Sequence, residues 1–436
     1  MFKQNFLTAV AVLFLATCAT AQTLVIPNAN FKNALVNTDC VDTDADNVGD
    51  ADADTNNNGE IELSEATAVL GLDVSSRQIS SLSGIENFTN LLYLDCRINQ
   101  LTTMSMQGLD RLKQFNCANN QFTTLNVQNC TRLEIFYCLN NTIASLNLQG
   151  LNSLQQVYAQ NNQLTNLNIQ GLPSLTSINC NQNRLASLNV QGITNLQYLY
   201  CTQNLLTGLN ATGLNNLVSL FCNNNALTSL NIQNLGKLET VYCYLNQLTT
   251  VSTVGLRKLK YFYAYNNLLT VANMEECVAL IDINLNNNKL QQIYIKNGST
   301  EMIDFAQNPT LGYICCDLVQ QNDIQTKVSS LGYVGCTVNS FCIVATENAA
   351  KNANSTLSIL AYPNPTDGIV HFETDLNIDT IIVYDALGRE MLREMQRDNG
   401  VQNQTVDLSN LGKGLYFIKI FSGSNSAVSK VNLCQL

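Results

Sequence analysis

Leu94-Asp95-Cys96-Arg97-Ile98-Asn99-Gln100-Leu101 opens a ladder that returns every 21 residues, from Cys96 to Cys117 to Cys138 and onward, through about half of the 436-residue chain. Cys96, Cys117, Cys138, Cys180, Cys201, Cys222 and Cys243 share one register, and Ala159, Ala264, Leu285 and Ala306 fill the slot where cysteine is missing. Three residues beyond each slot an asparagine recurs: Asn99, Asn120, Asn141, Asn162, Asn183, Asn204, Asn225, Asn246, Asn267 and Asn288. A fixed period of this length means stacked turns of one kind. The alternation Leu199-x-Cys201 predicts a short strand with two side chains inward. One turn cannot bury its own apolar stripe, but turns stacked about 4.8 Å apart join their strands into a parallel sheet and their stripes into a continuous core. The backbone leaving each strand is irregular, and neighbouring turns bury its polar groups. An inward asparagine amide, donor and acceptor at once, is suited to satisfy them.

The repeat runs from about residue 67 to 311 as L-x-x-L-x-C-x-x-N-x-L-x-x-L, for example Leu196-Gln-Tyr-Leu199-Tyr-Cys201-Thr-Gln-Asn204-Leu-Leu206-Thr-Gly-Leu209. This is the leucine-rich repeat pattern, and its length and cysteine slot resemble the bacterial internalin type with a cysteine ladder. The resemblance implies a solenoid of mostly β content with a parallel concave sheet. Side chains in register on parallel strands point the same way and cannot easily reach the disulfide dihedral near 90°. The ladder cysteines therefore read as free, buried thiols that pack as small hydrophobes. Cys130 and Cys277 share the register of Leu109 on the convex side and read as core too.

Strand alternation turns the residues beside the slots outward. In the central position these are Asp95, Asn116, Tyr137, Tyr158, Asn179, Tyr200, Phe221, Tyr242, Tyr263 and Asn284, flanked by Tyr93, Tyr198, Tyr244, Tyr261 and Tyr265. Tyrosine offers a broad apolar ring with a polar tip at low entropic cost, which suits recognition of protein or sugar surfaces. Tyr137, Tyr158, Tyr198, Tyr200, Phe221, Tyr242, Tyr244, Tyr261, Tyr263 and Tyr265 are accordingly the expected ligand-binding residues. The competing reading is that aromatics are good strand formers lining cross-strand stacks without a partner.

Ahead of the array, residues 1–21 read as a secretory signal, with Lys3, an apolar stretch from Phe6 to Ala16, and Ala19-Thr20-Ala21 as cleavage site. Residues 22–66 read as an acidic cap, opening with a short helix that Asn30 would cap and whose Phe31 and Leu35 share a face. From Asp39 to Glu65 the segment holds only acidic charges. Asp54-Thr-Asn56-Asn-Asn58-Gly59-Glu60-Ile61-Glu62-Leu-Ser-Glu65 resembles the calcium loop of EF hands. Asp54, Asn56 and Asn58 would give side-chain oxygens, Glu60 its carbonyl, Glu62 a ligand through water and Glu65 a bidentate carboxylate, around a calcium of structural role. The preceding Asp42 to Asp52 stretch resembles the calcium-dense repeats of thrombospondin type 3, and a second ion there is left open.

Beyond the array, residues 312–344 hold Cys315, Cys316, Cys336 and Cys342 in irregular spacing and read as a closing cap with one or two disulfides. Residues 345–357 read as a linker. Residues 358–436 read as a small antiparallel β-sandwich with strands at 369–372, 380–384, 414–420 and 427–431. Tyr362-Pro-Asn-Pro-Thr-Asp-Gly368, Val383-Tyr-Asp-Ala-Leu-Gly-Arg389, Leu408-Ser-Asn-Leu-Gly-Lys-Gly-Leu-Tyr416 and Ser429-Lys430-Val431 resemble the C-terminal sorting domain of the Por, or type IX, secretion pathway. That resemblance implies export and handling by the type IX machinery, with the protein secreted or at the outer cell surface. The tail Asn432-Leu-Cys-Gln-Leu436 extends past the usual basic ending.

A net charge of −11 disfavours nucleic acid and anionic lipid as partners, and no membrane span is expected. The single histidine, His371, lies in the sorting domain, so a Ser-His-Asp or Cys-His arrangement has no place in the array. Asp95, Glu134, Glu239 and Asp282 are scattered over distant turns. These features point away from an enzyme and toward a surface recognition protein, an adhesin whose concave face takes an extracellular protein or glycan. A structural surface or biofilm component without a discrete ligand is the alternative, and a glycan-acting enzyme comes last.

Overall fold

A computed structural model describes residues 22–43, 49–340, 360–373, 378–385, 389–395, 405–422 and 425–434. The signal segment, the linker, Cys342 and the middle of the expected second calcium stretch lie outside them. The chain divides into two units, at 342/343.

In the first unit, thirteen short strands form one sheet, ordered as in the sequence from Val41–Asp42 to Met302–Asp304. The first pairs antiparallel with Gly71–Asp73, and each later strand pairs in parallel with its neighbour, residue against residue one turn on, as Tyr198–Tyr200 does with Ser219–Phe221. Shorter parallel ladders run along the opposite side, including Val271–Asn273, Gln292–Tyr294, Tyr313–Cys315 and Thr337–Asn339. Between the two sides lies one continuous apolar core, in which the ladder cysteines and Cys130 and Cys277 are fully buried. All seven ladder cysteines are free thiols, and burial pushes those of Cys180, Cys201 and Cys222 far up from the ordinary thiol range, so they are held as neutral packing groups.

The asparagines stitch turn to turn. Asn120 Nδ2 donates to the carbonyls of Cys96, one turn back, and of Cys117 at 2.9 and 3.1 Å, while its Oδ1 accepts from Leu101 N–H at 3.0 Å. The same set repeats at Asn141, Asn162 and Asn183. The residue before each of these asparagines is left-handed, with φ near +55° from Ile98 to Asn161. Asparagine tolerates that conformation, and Asn119, Asn140 and Asn161 link their exposed amides at 2.9 and 2.7 Å. Ile98 holds the same φ with a β-branched side chain that is 53% exposed. Ile98→Asn is therefore expected to stabilise the array by about 1 kcal/mol by removing steric strain at little loss of packing. Urea unfolding checks it, and an unchanged or lower midpoint would refute it.

Two local expectations are corrected. The first helix spans Ala29–Asn37 and is capped by Asn28, whose side chain accepts from Phe31 N–H, while Asn30 lies inside the helix and donates to Gln78 O. Phe31 and Leu35 do share the buried face. The last sheet turn is one residue short: Ile283 pairs with Ile303, so the slot after Leu285 is taken by buried Phe305, and Ala306 sits past it, half-buried. Asn308 continues the inward ladder, donating to Leu285 O and Phe305 O and accepting from Leu290 N–H.

After the array, the helix Gln321–Ser330 covers its open end, burying Ile324 and Val328. Here Cys315 is disulfide-bonded, whereas Cys316 and Cys336 are free. Of the one or two bridges expected in the cap, one is present at the described cysteines.

The second unit is an antiparallel sandwich. A sheet of Leu360–Tyr362, Ile369–Glu373 and Thr405–Asp407 faces one ordered Glu390–Met395, Thr380–Asp385, Gly414–Ser422, Asn425–Leu433. Val370, Phe372, Ile381, Val383, Ile418 and Val431 are buried in one core. Asn364 donates to Lys430 O and accepts from Asn432 N–H, so the Tyr362 to Gly368 motif is tied to the final strand. That strand runs through Leu433, and Cys434 N–H donates to Thr366 O, which gives Asn432, Leu433 and Cys434 a place in the fold. Among the described residues no helix is long and apolar enough to cross a membrane.

Candidate binding face

The sheet brings the expected aromatic residues onto one face. Tyr137 and Tyr158 stack at 4.7 Å between centroids. After Asn179 the column resumes with Tyr200, Phe221, Tyr242 and Tyr263 at successive spacings of 4.9, 4.5 and 4.7 Å. Beside it Tyr244 and Tyr265 stack at 4.3 Å, and Tyr198 lies 6.4 Å from Tyr200. Tyr261 takes the flanking outward position between Thr240 and Asp282. Parallel in-register strands place equal positions one strand apart, and that step is close to the spacing at which offset aromatic rings attract. Most of these rings are half-buried because each covers its neighbour. Their edges and hydroxyls, rather than their faces, meet solvent along the stacked part.

Polar groups frame the column. Tyr158 OH donates to Gln156 at 3.0 Å and Tyr263 OH to Asp282 at 2.7 Å. The Asp282 bond, with burial, pushes the Tyr263 phenol up to about 12. At the amino-terminal end Asn116 donates to Asp95, whose carboxyl burial raises although Arg97 opposes the shift. The scattered carboxylates stay apart: Glu134 lies 3.9 Å from Lys113, and Glu239 pairs with Lys260 at 2.8 Å.

The calcium-like loop is folded on itself. Asp54 accepts from Asn58 N–H at 3.0 Å and Gly59 N–H at 2.7 Å, with Gly59 at φ +82°. Asn56 and Asn58 donate their amides to the two oxygens of Glu62 at 2.9 and 2.8 Å. Glu65 accepts from Thr55 Oγ1 and from Asn56 and Glu62 N–H, closing a capping box on the helix Leu63–Ala68. Burial works to raise the Glu65 carboxyl, but these bonds hold it below its ordinary value. Glu60 turns its side chain out to Lys32 at 2.7 Å, as a carbonyl ligand would require. Asp54, Glu62 and Glu65 are buried, at 2, 5 and 6% exposure. Among the described residues, no three acidic, His or Cys side chains are drawn together closely enough to hold an ion.

Comparison with known proteins bears on both units. Residues 360–433 match the secretion system C-terminal sorting domain family, Por_Secre_tail. Among solved structures, the functional domain of InlJ from Listeria monocytogenes, described as including a cysteine ladder, is similar at 19% identity and a TM-score of 0.53. The match covers 86% of this chain and 93% of that one. A leucine-rich repeat protein of Leptospira interrogans is 20% identical over 63% of this chain and 73% of its own, with a TM-score of 0.49. The internalin InlF of L. monocytogenes is 20% identical over 68% and 98%, with a TM-score of 0.45. No curated protein matches the sequence. The first unit thus has the leucine-rich repeat solenoid fold with a cysteine ladder, and residues 360–433 form a secretion sorting domain of the Por, or type IX, kind, which marks the chain as secreted or held at the outer cell surface.

Proposed function

We propose that the array is the recognition part of a surface adhesin and takes an extracellular protein or glycan on its aromatic sheet face. The observation that carries this reading is the aromatic column itself, a half-exposed stripe from Tyr137 to Tyr263 with few charges. Exposed aromatic surface of that extent is uncommon without a use. A glycan and surface-protein binding screen with the full chain supplies the ligand, and Tyr200→Ala with Tyr242→Ala tests the face. A folded double variant is expected to lose at least about tenfold in affinity for that ligand; unchanged affinity would sink the assignment. Mutual ring stacking favours a second reading, a structural surface component without a discrete ligand, for which the screen would stay empty. No catalytic activity is proposed for either unit.

We further propose that the Asp54 loop holds a structural calcium. Asp54, Glu62 and Glu65 are buried carboxylates with no basic side chain bonded to them, and hard oxygens at these sequence spacings suit that ion. Asp54, Asn56, Asn58, Glu62 and Glu65 would hold it with the Glu60 carbonyl, once the amides of Asn56 and Asn58 release Glu62. Removing calcium present at a hundredfold over its Kd is expected to cost about 2.7 kcal/mol, read as a lower Tm on chelation. Glu65→Gln keeps an oxygen for the capping box but should abolish that response. A chelator that leaves Tm unmoved in the wild-type chain would defeat the assignment.

A further inference from the structure

The aromatic column is broken at one internal rung. Tyr158 stacks on Tyr137 with an interplanar angle of 8°, and on its other side the next strand offers Asn179. The strand after that brings Tyr200, which is tilted 54° from Phe221 and lies at 28° to Tyr198. Everywhere else between Tyr137 and Tyr263 each ring has a ring on the adjoining strand. Only at Asn179 do two aromatic residues border the same empty rung. Successive rings are 4.5 to 4.9 Å apart, so two strand steps separate the walls by about 9.5 Å. One ring placed midway would stand at the column's own spacing from both.

The surroundings say what kind of ring. Asn179 forms the floor, its Oδ1 accepting from Asn181 N–H at 3.1 Å. On the flanking outward positions of these rungs stand Gln156, Ser177 and Tyr198 on one side and Gln160, Asn181 and Thr202 on the other, all uncharged; Gln156 Oε1 already accepts from Tyr158 OH, Asn181 Oδ1 from Thr202 N–H, and Thr202 Oγ1 donates to Asn223. An aromatic side chain from a partner would fill the space but bring no hydroxyls to the side-chain amide N–H groups of Gln156, Asn179 and Asn181. A charged sugar would find no counter-charge in it. A neutral pyranose whose hydroxyls are all equatorial has what the notch asks for: C–H bonds on both faces for the negative faces of the tyrosines, and hydroxyl oxygens around its edge that accept from the amides.

We propose that the Asn179 notch is a subsite for one neutral, gluco-configured hexopyranose residue of a glycan, sandwiched between Tyr158 and Tyr200. This rests on the aromatic face being a binding surface and names its ligand class. The test is calorimetric titration of the full chain with cellohexaose, with β-1,4-mannohexaose as the epimer carrying an axial hydroxyl. Cellohexaose is expected to bind, and mannohexaose to bind at least about tenfold more weakly. Asn179→Tyr supplies the missing ring from the chain itself, and is expected to weaken cellohexaose at least about tenfold with Tm unchanged or raised; Tyr158→Ala should weaken it similarly. No binding of cellohexaose by the wild-type chain overturns the proposal, as does equal binding by Asn179→Tyr. Cellohexaose binding lost in Tyr242→Ala but untouched by Asn179→Tyr would overturn the notch alone and leave the face standing. Failure of the face itself is read separately, from the Tyr200 and Tyr242 double variant with the ligand found by the screen.

Discussion

Asn183→Ala is expected to lower the stability of the array by about 3 kcal/mol, whereas Asn152→Ala, in an exposed loop, should change it by less than about 0.5 kcal/mol. Asn183 is 8% exposed and donates to Ala159 O, Cys180 O and Asn181 O at 3.0, 3.1 and 3.1 Å, while accepting from Leu164 N–H at 2.9 Å. The losses are unequal. Ala159 O keeps Asn162 and Cys180 O keeps Asn204, because each slot carbonyl is shared by two successive amides. Leu164 N–H is left with no described partner in a fully buried residue, and a buried unpaired donor costs about 1–3 kcal/mol by itself. Asn183→Leu restores volume without restoring the bonds, so it should rescue little. Urea unfolding of the three variants decides the matter; an Asn183→Ala midpoint equal to that of Asn152→Ala would show the ladder to be dispensable.

The ladder was legible because identical turns leave an identical trace. The register of Cys96 to Cys243, the inward asparagines and the outward tyrosines follow from period 21 and strand alternation, and the structure places them so. Phe305 was hidden by the same regularity. A turn shortened by one residue puts Ala306 in the expected slot by counting, and alanine is an acceptable occupant there, so nothing in the composition objects. The signal lay in Asn308, which restores the asparagine step if the turn is read as 20 residues from Asn288. The left-handed column at Asn119, Asn140 and Asn161 was also written in the sequence, since asparagine favours that conformation. Stacking of Tyr137 on Tyr158 was visible as a possibility of spacing only. Asn179 already interrupts the aromatic series in the sequence, but which ring faces are covered and which border that rung depends on rotamers and tilt, and only the coordinates show it.

Phe305→Ala is expected to cost about 3–5 kcal/mol, the range for emptying a buried phenylalanine site, but to express the loss at one end of the molecule. Phe305 is fully buried, 6.3 Å from the Tyr333 ring and 5.4 Å beneath Lys327 Nζ. It occupies the slot on the final strand of the thirteen-stranded sheet, where no further strand follows. The cap supplies what that strand lacks. Lys327 donates to Ile303 O at 2.6 Å and pairs with Asp304 at 3.2 Å, and Tyr333 OH donates to Phe305 O while accepting from Asn308 N–H. Removing the ring therefore loosens the residues that hold Lys327 and Tyr333 in place as well as the core they close. In a stack where each turn contacts only its neighbours, a defect at the end frays inward and one in the middle divides the array. Amide exchange in Phe305→Ala should accelerate from about residue 282 through the cap and leave the strands near Tyr137 protected, whereas Asn183→Ala should accelerate exchange around its own turns. Equal acceleration throughout in both variants would mean that the solenoid unfolds as one cooperative unit, and the nearest-neighbour account of its stability would have to be abandoned.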